Sequence, residues 1–176
     1  MKAQLFSLVV LSALLYSCNS GKSSSTTANQ VSFTLESKSG SSATGQGTFT
    51  EKDGKVTFNT TIKNLSPGVH AIHLHEKADC SAADGSSAGG HWNPTFKKHG
   101  KWGEGEYHKG DIGNFTTDEF GNGTITFVTD EWCIGCGDAT RDILGKSVIV
   151  HEKPDDFVTQ PTGNAGGRVA CAGVIR

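Results

Sequence analysis

The chain has no apolar stretch long enough to cross a bilayer as a helix; its one largely apolar run, Leu5 to Tyr16, is of leader length. It holds one methionine and four prolines, and apolar residues nowhere recur at helical spacing over several turns. That sets aside helical bundles and coiled coils. No internal repeat is present, which sets aside solenoids. No basic run or aromatic-basic interleave occurs, and the net charge is only -2. Nothing in that balance suits a polyanion, so no nucleic-acid partner is expected. What the chain does have is glycine, 23 in 176 residues. Short strands joined by glycine-rich loops give such a composition, and the length allows one domain with its own core.

The N-terminus reads as a targeting segment. Lys2 gives a positive start, Leu5 to Tyr16 is the apolar part, and Leu15-Tyr16-Ser17-Cys18 resembles the lipobox of bacterial lipoproteins. On this reading residues 1–17 are removed and Cys18 becomes the lipidated N-terminus. The other reading is an ordinary secretory leader with an incidental cysteine. Both send the domain out of the cytosol, where disulfides persist. Residues 18–30 are the lipidated cysteine and a Ser/Thr-rich tether, and residues 31–176 form the domain. Cys80, Cys133, Cys136 and Cys171 remain, an even number.

Val31-Ser-Phe-Thr-Leu35 alternates apolar and polar residues, the mark of a half-buried strand. Gly45 to Thr50 and Val56 to Ile62 follow, with a hairpin turn signal at Lys52-Asp53-Gly54-Lys55 between them. Val69 to His75, Gly113 to Phe115, Gly123 to Val128, Ser147 to His151 and Arg168 to Ile175 complete the expected strands. Residues 76–111 show no period and form a long loop, which in a compact domain is usually functional. An antiparallel sandwich or flattened barrel follows.

Six of the seven histidines sit where chemistry can use them. His73 and His75 are two residues apart in a strand, so both project from one face, while Ile72 and Leu74 face the core. His151 ends another strand and can supply a third nitrogen. His91, His99, His108 and Asp111 lie in the loop, and three imidazoles with one carboxylate suit tetrahedral zinc. Imidazole also suits copper. His70 shares a face with Ile72 and Leu74 and reads as a structural residue.

These stretches together resemble the copper/zinc superoxide dismutase family. The resemblance rests on Gly68-Val-His-Ala-Ile-His-Leu-His-Glu76, Gly89-Gly-His-Trp-Asn-Pro94, His99-Gly100 and His108-Lys-Gly-Asp-Ile-Gly-Asn114. Val148-Ile-Val-His-Glu-Lys153 and Gly163-Asn-Ala-Gly-Gly-Arg-Val-Ala-Cys171 extend it across the whole domain. It implies an all-β, antiparallel Greek-key sandwich or flattened barrel with long metal-binding loops. It implies that a redox-cycling copper, held by His73, His75, His91 and His151, converts superoxide to oxygen and hydrogen peroxide. A structural zinc would be held by His91, His99, His108 and Asp111, with His91 bridging the two metals and carrying a proton. Arg168 would dock the substrate anion, and Asp155 would link a copper histidine to a zinc histidine. The family disulfide falls on Cys80 and Cys171.

The sequence departs from the familiar animal enzymes in two places. The segment between His151 and Gly163 is shorter and lacks their acidic pair, leaving Lys153 and Arg168 for attraction of the anion. Cys133-Ile-Gly-Cys136 is the other departure. We read it as a local disulfide that stiffens a loop; a redox motif or metal relay is the alternative. Four Asn-x-Ser/Thr sequons, at Asn59, Asn64, Asn114 and Asn122, carry no weight in a bacterial lipoprotein.

The expectation is therefore an enzyme of the cell envelope, lipid-anchored at Cys18, periplasmic or at the cell surface. A homodimer is compatible with the resemblance, but no interface is legible. The rival reading is a non-enzymatic lipoprotein that stores or delivers copper and zinc. A copper-chaperone relative would need a further cysteine-bearing domain, for which no residues remain.

Overall fold

The computed structural model describes residues 29–176. The leader, Cys18 and the tether up to residue 28 lie outside the described residues.

Eight strands carry the fold: β1 (Asn29–Ser37), β2 (Thr44–Lys52), β3 (Lys55–Lys63), β4 (Gly68–His75), β5 (Gly113–Thr117), β6 (Gly123–Thr129), β7 (Ser147–His151) and β8 (Arg168–Gly173). They close into one antiparallel barrel in the order β1-β2-β3-β6-β5-β4-β7-β8. Closure leaves no free sheet edge among the described strands. The β3–β4 and β6–β7 connections cross between non-neighbouring strands, the Greek-key element of the topology. β1 includes Asn29, the first described residue and ahead of Val31: it pairs with Glu51, and its side-chain amide donates to the Ile134 carbonyl at 2.6 Å.

The β2–β3 hairpin turns on Asp53 and Gly54, at φ 51° and 75°. A two-residue turn with both central residues left-handed needs this pair of residue types. Inward-facing Val31, Phe33, Leu35, Val56, Phe58 and Ile62 are buried, and their neighbours Ser32, Thr34, Asn59 and Thr61 are exposed. The Phe33, Phe49 and Phe58 rings meet at centroid distances of 4.8 to 5.8 Å, and Trp132 packs on Phe49 at 6.0 Å. Phe58 is fully buried there. Phe58→Ala removes the middle of this cluster and is expected to cost about 3–5 kcal/mol in urea unfolding, with the histidines of β4 and β7 untouched.

The opposite wall is different. Every residue of β4 from His70 to His75 is buried, as is all of β7. Ile72, Leu74, Val148 and Val150 face the main core, while Ile149 and Cys171 pack with Ala88 of the long loop on the other side. The loop thus covers the outer face of β4, β7 and β8, where the histidines are.

Candidate metal centre

His73 and His75 project from the outer face of β4. His151 comes from β7 beside them, at a register shift between β7 and β8 that pairs it with Arg168. An irregular register re-aims a side chain without ending the strand. The His91 segment docks on the end of β4: His91 bridges His75, and the Trp92 amide donates to the Leu74 carbonyl at 2.9 Å. The Gly110 amide donates to the Trp92 carbonyl at 3.0 Å, which brings His108 and Asp111 to the same place.

Two donor groups result. One is His73, His75, His91 and His151, and the other is His91, His99, His108 and Asp111; within each group the donor atoms lie within 4.8 Å of one another. His91 belongs to both. All seven residues are buried.

Hydrogen bonds decide which ring nitrogen of each histidine is free. Asp155 takes Nε2 of His73 at 2.8 Å and Nε2 of His99 at 2.9 Å, leaving Nδ1 of each facing inward. The Gly89 carbonyl takes His75 Nδ1 at 3.0 Å, leaving its Nε2 3.4 Å from Nε2 of His151. His91 Nδ1 lies 2.8 Å from Asp111 Oδ1, on the side of His99 and His108. Its Nε2 faces the other group. The Gly163 Cα passes so close to Asp155 and His99 that a Cβ there would collide with both.

Both groups fit metal ions. Nδ1 of His73, Nε2 of His91, Nδ1 of His99 and Nδ1 of His108 are buried without a hydrogen-bond partner. His99 Nδ1 even lies 3.0 Å from Asp111 Oδ2 without forming a hydrogen bond. A buried polar atom left unpaired costs about 1–3 kcal/mol, so four of them around two centres are what a pair of cations would resolve. The all-nitrogen set suits copper, and the three-imidazole, one-carboxylate set suits zinc.

Burial, then the neighbouring His91 and His73, hold the His75 and His151 imidazoles well below the usual histidine range. Burial and His73 push His91 down to about 4, against the pull of Asp111. These rings are neutral at neutral pH, with lone pairs ready for a metal. Burial opposes a charge on His99 too, but the adjacent Asp111 carboxylate and the hydrogen bond to Asp155 prevail and raise it to about 9. Burial likewise opposes ionised Asp111 and Asp155, yet hydrogen bonds from the surrounding histidines hold both carboxyls far below the usual range.

Residues 43–175 match the copper/zinc superoxide dismutase family profile. The chain belongs to this family. Superoxide dismutation is the family's general activity, and copper and zinc are the metals it binds. A solved structure titled as that of the clock protein EA4 is 37% identical to this dismutase-family chain, with a TM-score of 0.71. The alignment covers 85% of this chain and 97% of that one.

Beside the histidines, Arg168 donates from Nη1 to the Gly85 carbonyl and from Nη2 to the Gly89 carbonyl, each at 2.7 Å. Cys80 and Cys171 form a disulfide with 5.8 Å between their Cα atoms, which ties the loop to β8. Cys133 and Cys136 also pair, as the local-disulfide reading expects. His70 has its ring nitrogens 2.9 Å from the carbonyls of His151 and Ser66, so it supports the backbone of one residue of the all-histidine group.

Two further residues escaped the sequence reading. Gln160 accepts from the His99 amide at 2.8 Å and donates to the His99 carbonyl at 2.9 Å. Glu131 accepts from Tyr107 at 2.6 Å and pairs with Lys109, the two neighbours of His108. Neither lies in a motif, and each acts on a segment distant in sequence.

Proposed function

We propose that this chain dismutes superoxide with copper held by His73, His75, His91 and His151 and zinc held by His91, His99, His108 and Asp111. The observation that carries this is His91: its two nitrogens face two different donor groups, and the unpartnered one faces the all-histidine group. A store for two separate ions needs no shared ligand.

Bound copper supplies the one-electron exchange that takes one superoxide to oxygen and the next to peroxide. The protein's own residues do the rest. Arg168 is half-buried, and two of its nitrogens are anchored on carbonyls. Its remaining N–H groups form a fixed planar cation for a small anion. The Gly89 carbonyl serves both Arg168 and His75, so docking site and metal site share one support. His91 Nε2 is the atom placed to hold and release a proton, because Nδ1 is committed to the Asp111 side. Asp155 fixes the rings of His73 and His99 together, which keeps the two centres in register.

The same proposal places the protein in the cell envelope, anchored through lipid on Cys18, where it would protect against superoxide. The leader-like start and the two disulfides support that setting.

Arg168→Ala is expected to keep copper bound but to lower kcat/KM roughly tenfold to a hundredfold. A hydrogen bond to a charged group is worth about 1.5–3 kcal/mol, and each 1.4 kcal/mol is tenfold. Pulse-radiolysis turnover on copper-quantified protein checks this; an unchanged rate would remove Arg168 from the mechanism.

A further inference from the structure

His108 stands in a segment without regular secondary structure; its own amide donates to Asp111 Oδ2 at 2.8 Å, and a second grip reaches it through its two neighbours. The Tyr107 hydroxyl donates to Glu131 Oε1 at 2.6 Å, and the Lys109 ammonium pairs with Glu131 Oε2. One carboxylate thus holds both flanks of one metal-site histidine. The next residue adds a third tie: Trp132 Nε1 donates to the Lys109 carbonyl at 2.9 Å. Trp132 is fully buried, and Trp102 packs edge-on against it at 5.7 Å and on Tyr107 at 4.8 Å. The Lys109 and Glu131 side chains are 18% and 30% exposed, so the pair is shielded more than a surface ion pair.

Glu131 is itself held. Its amide donates to Thr129 Oγ1 at 2.9 Å at the end of β6. Just beyond it the Cys133–Cys136 disulfide closes a short turn whose Gly135 and Gly137 amides both donate to Asp142 at 2.9 Å. The Ile134 amide donates to Glu51 at 3.1 Å, and the Ile134 carbonyl accepts from Asn29. The Cys-x-x-Cys segment therefore sits within a fixed unit, residues 131–143, tied to the paired ends of β1 and β2 at Asn29 and Glu51.

We infer that Glu131 is a positioning residue for the zinc side of the centre. It fixes His108 through Tyr107 and Lys109, and the Cys133–Cys136 loop is the rigid base that presents it. The inference rests on the zinc reading of His91, His99, His108 and Asp111.

The test is cobalt(II) uptake at this set by the full chain, followed by visible absorption of the tetrahedral ion and by chelator competition. Glu131→Gln keeps an acceptor for Tyr107 and loses the charge that pairs with Lys109; Glu131→Ala loses both. Cobalt affinity is expected to fall in the order wild type, Gln, Ala, by roughly tenfold in all, the low end of the range for groups that orient metal ligands. The cobalt bands should shift, while copper affinity holds. A role confined to stability would lower the melting temperature of the apoprotein and leave bands and affinity unchanged, and that result would overturn the proposal. If Glu131→Ala does not fold, Tyr107→Phe removes one hydroxyl and should give a smaller change of the same sign; no change there overturns it equally. A wild-type chain that takes up no cobalt at these residues would overturn the zinc reading as well.

Discussion

Asp155→Ala is expected to weaken binding at both donor groups, by about 10- to 100-fold for each metal, the usual effect of losing a group that orients metal ligands. The reason is that one buried carboxylate spans both groups, 2.8 Å from His73 and 2.9 Å from His99. Its loss leaves two buried ring N–H groups unpaired, at about 1–3 kcal/mol each. It also frees the rings to rotate, so Nδ1 of each no longer faces the ion. The Phe157 amide loses its 2.7 Å acceptor at the same time, which loosens the loop that brings Asp155 and Gln160 to the site. Copper and zinc affinities measured separately by chelator competition check this. Weakening of one metal alone would show that the bridge does not couple the two centres.

Reduction of Cys80–Cys171 is the second large effect. The bond joins residues 91 positions apart, and on chain-entropy grounds contributes about 4–5 kcal/mol. Cys133–Cys136 joins residues only 3 positions apart and on the same grounds contributes about 2 kcal/mol. The long-range bond should therefore dominate the thermal stability of the apoprotein. Its loss also reaches the site. The loop it pins carries the Gly85 and Gly89 carbonyls that anchor Arg168, and Gly89 also holds His75. The Cys80→Ser, Cys171→Ser double variant is expected to melt roughly 10–15 °C lower as apoprotein. It should also bind zinc more weakly. Equal zinc affinity with and without the disulfide would sink the link between loop and metal site.

Much of this architecture is legible in the residues. Alternation in Val31 to Leu35 and Val56 to Ile62 marks half-buried strands, and both have their apolar residues inside. Asp53-Gly54 names its own turn. His73 and His75 share a face by strand geometry alone. Closure into a barrel is less visible, because alternation reports which face is buried but not which strand lies beside which. β7 is buried on both faces, and only the long loop explains why. The supporting contacts are the least legible. Gln160 reaches His99 across 61 residues and Glu131 reaches Tyr107 across 24. A contact made by folding two distant loops together has no local period or spacing to announce it. The Cys-x-x-Cys was visible as a pair, but its position behind Glu131 was not.

The most direct test of the central claim is superoxide dismutation by a chain beginning at Asn19, measured as apoprotein and after loading with copper and zinc. The account predicts negligible turnover without metal and fast, copper-dependent turnover with both metals bound. Tight binding of both metals without turnover would contradict it and turn the chain into a carrier or store of copper and zinc.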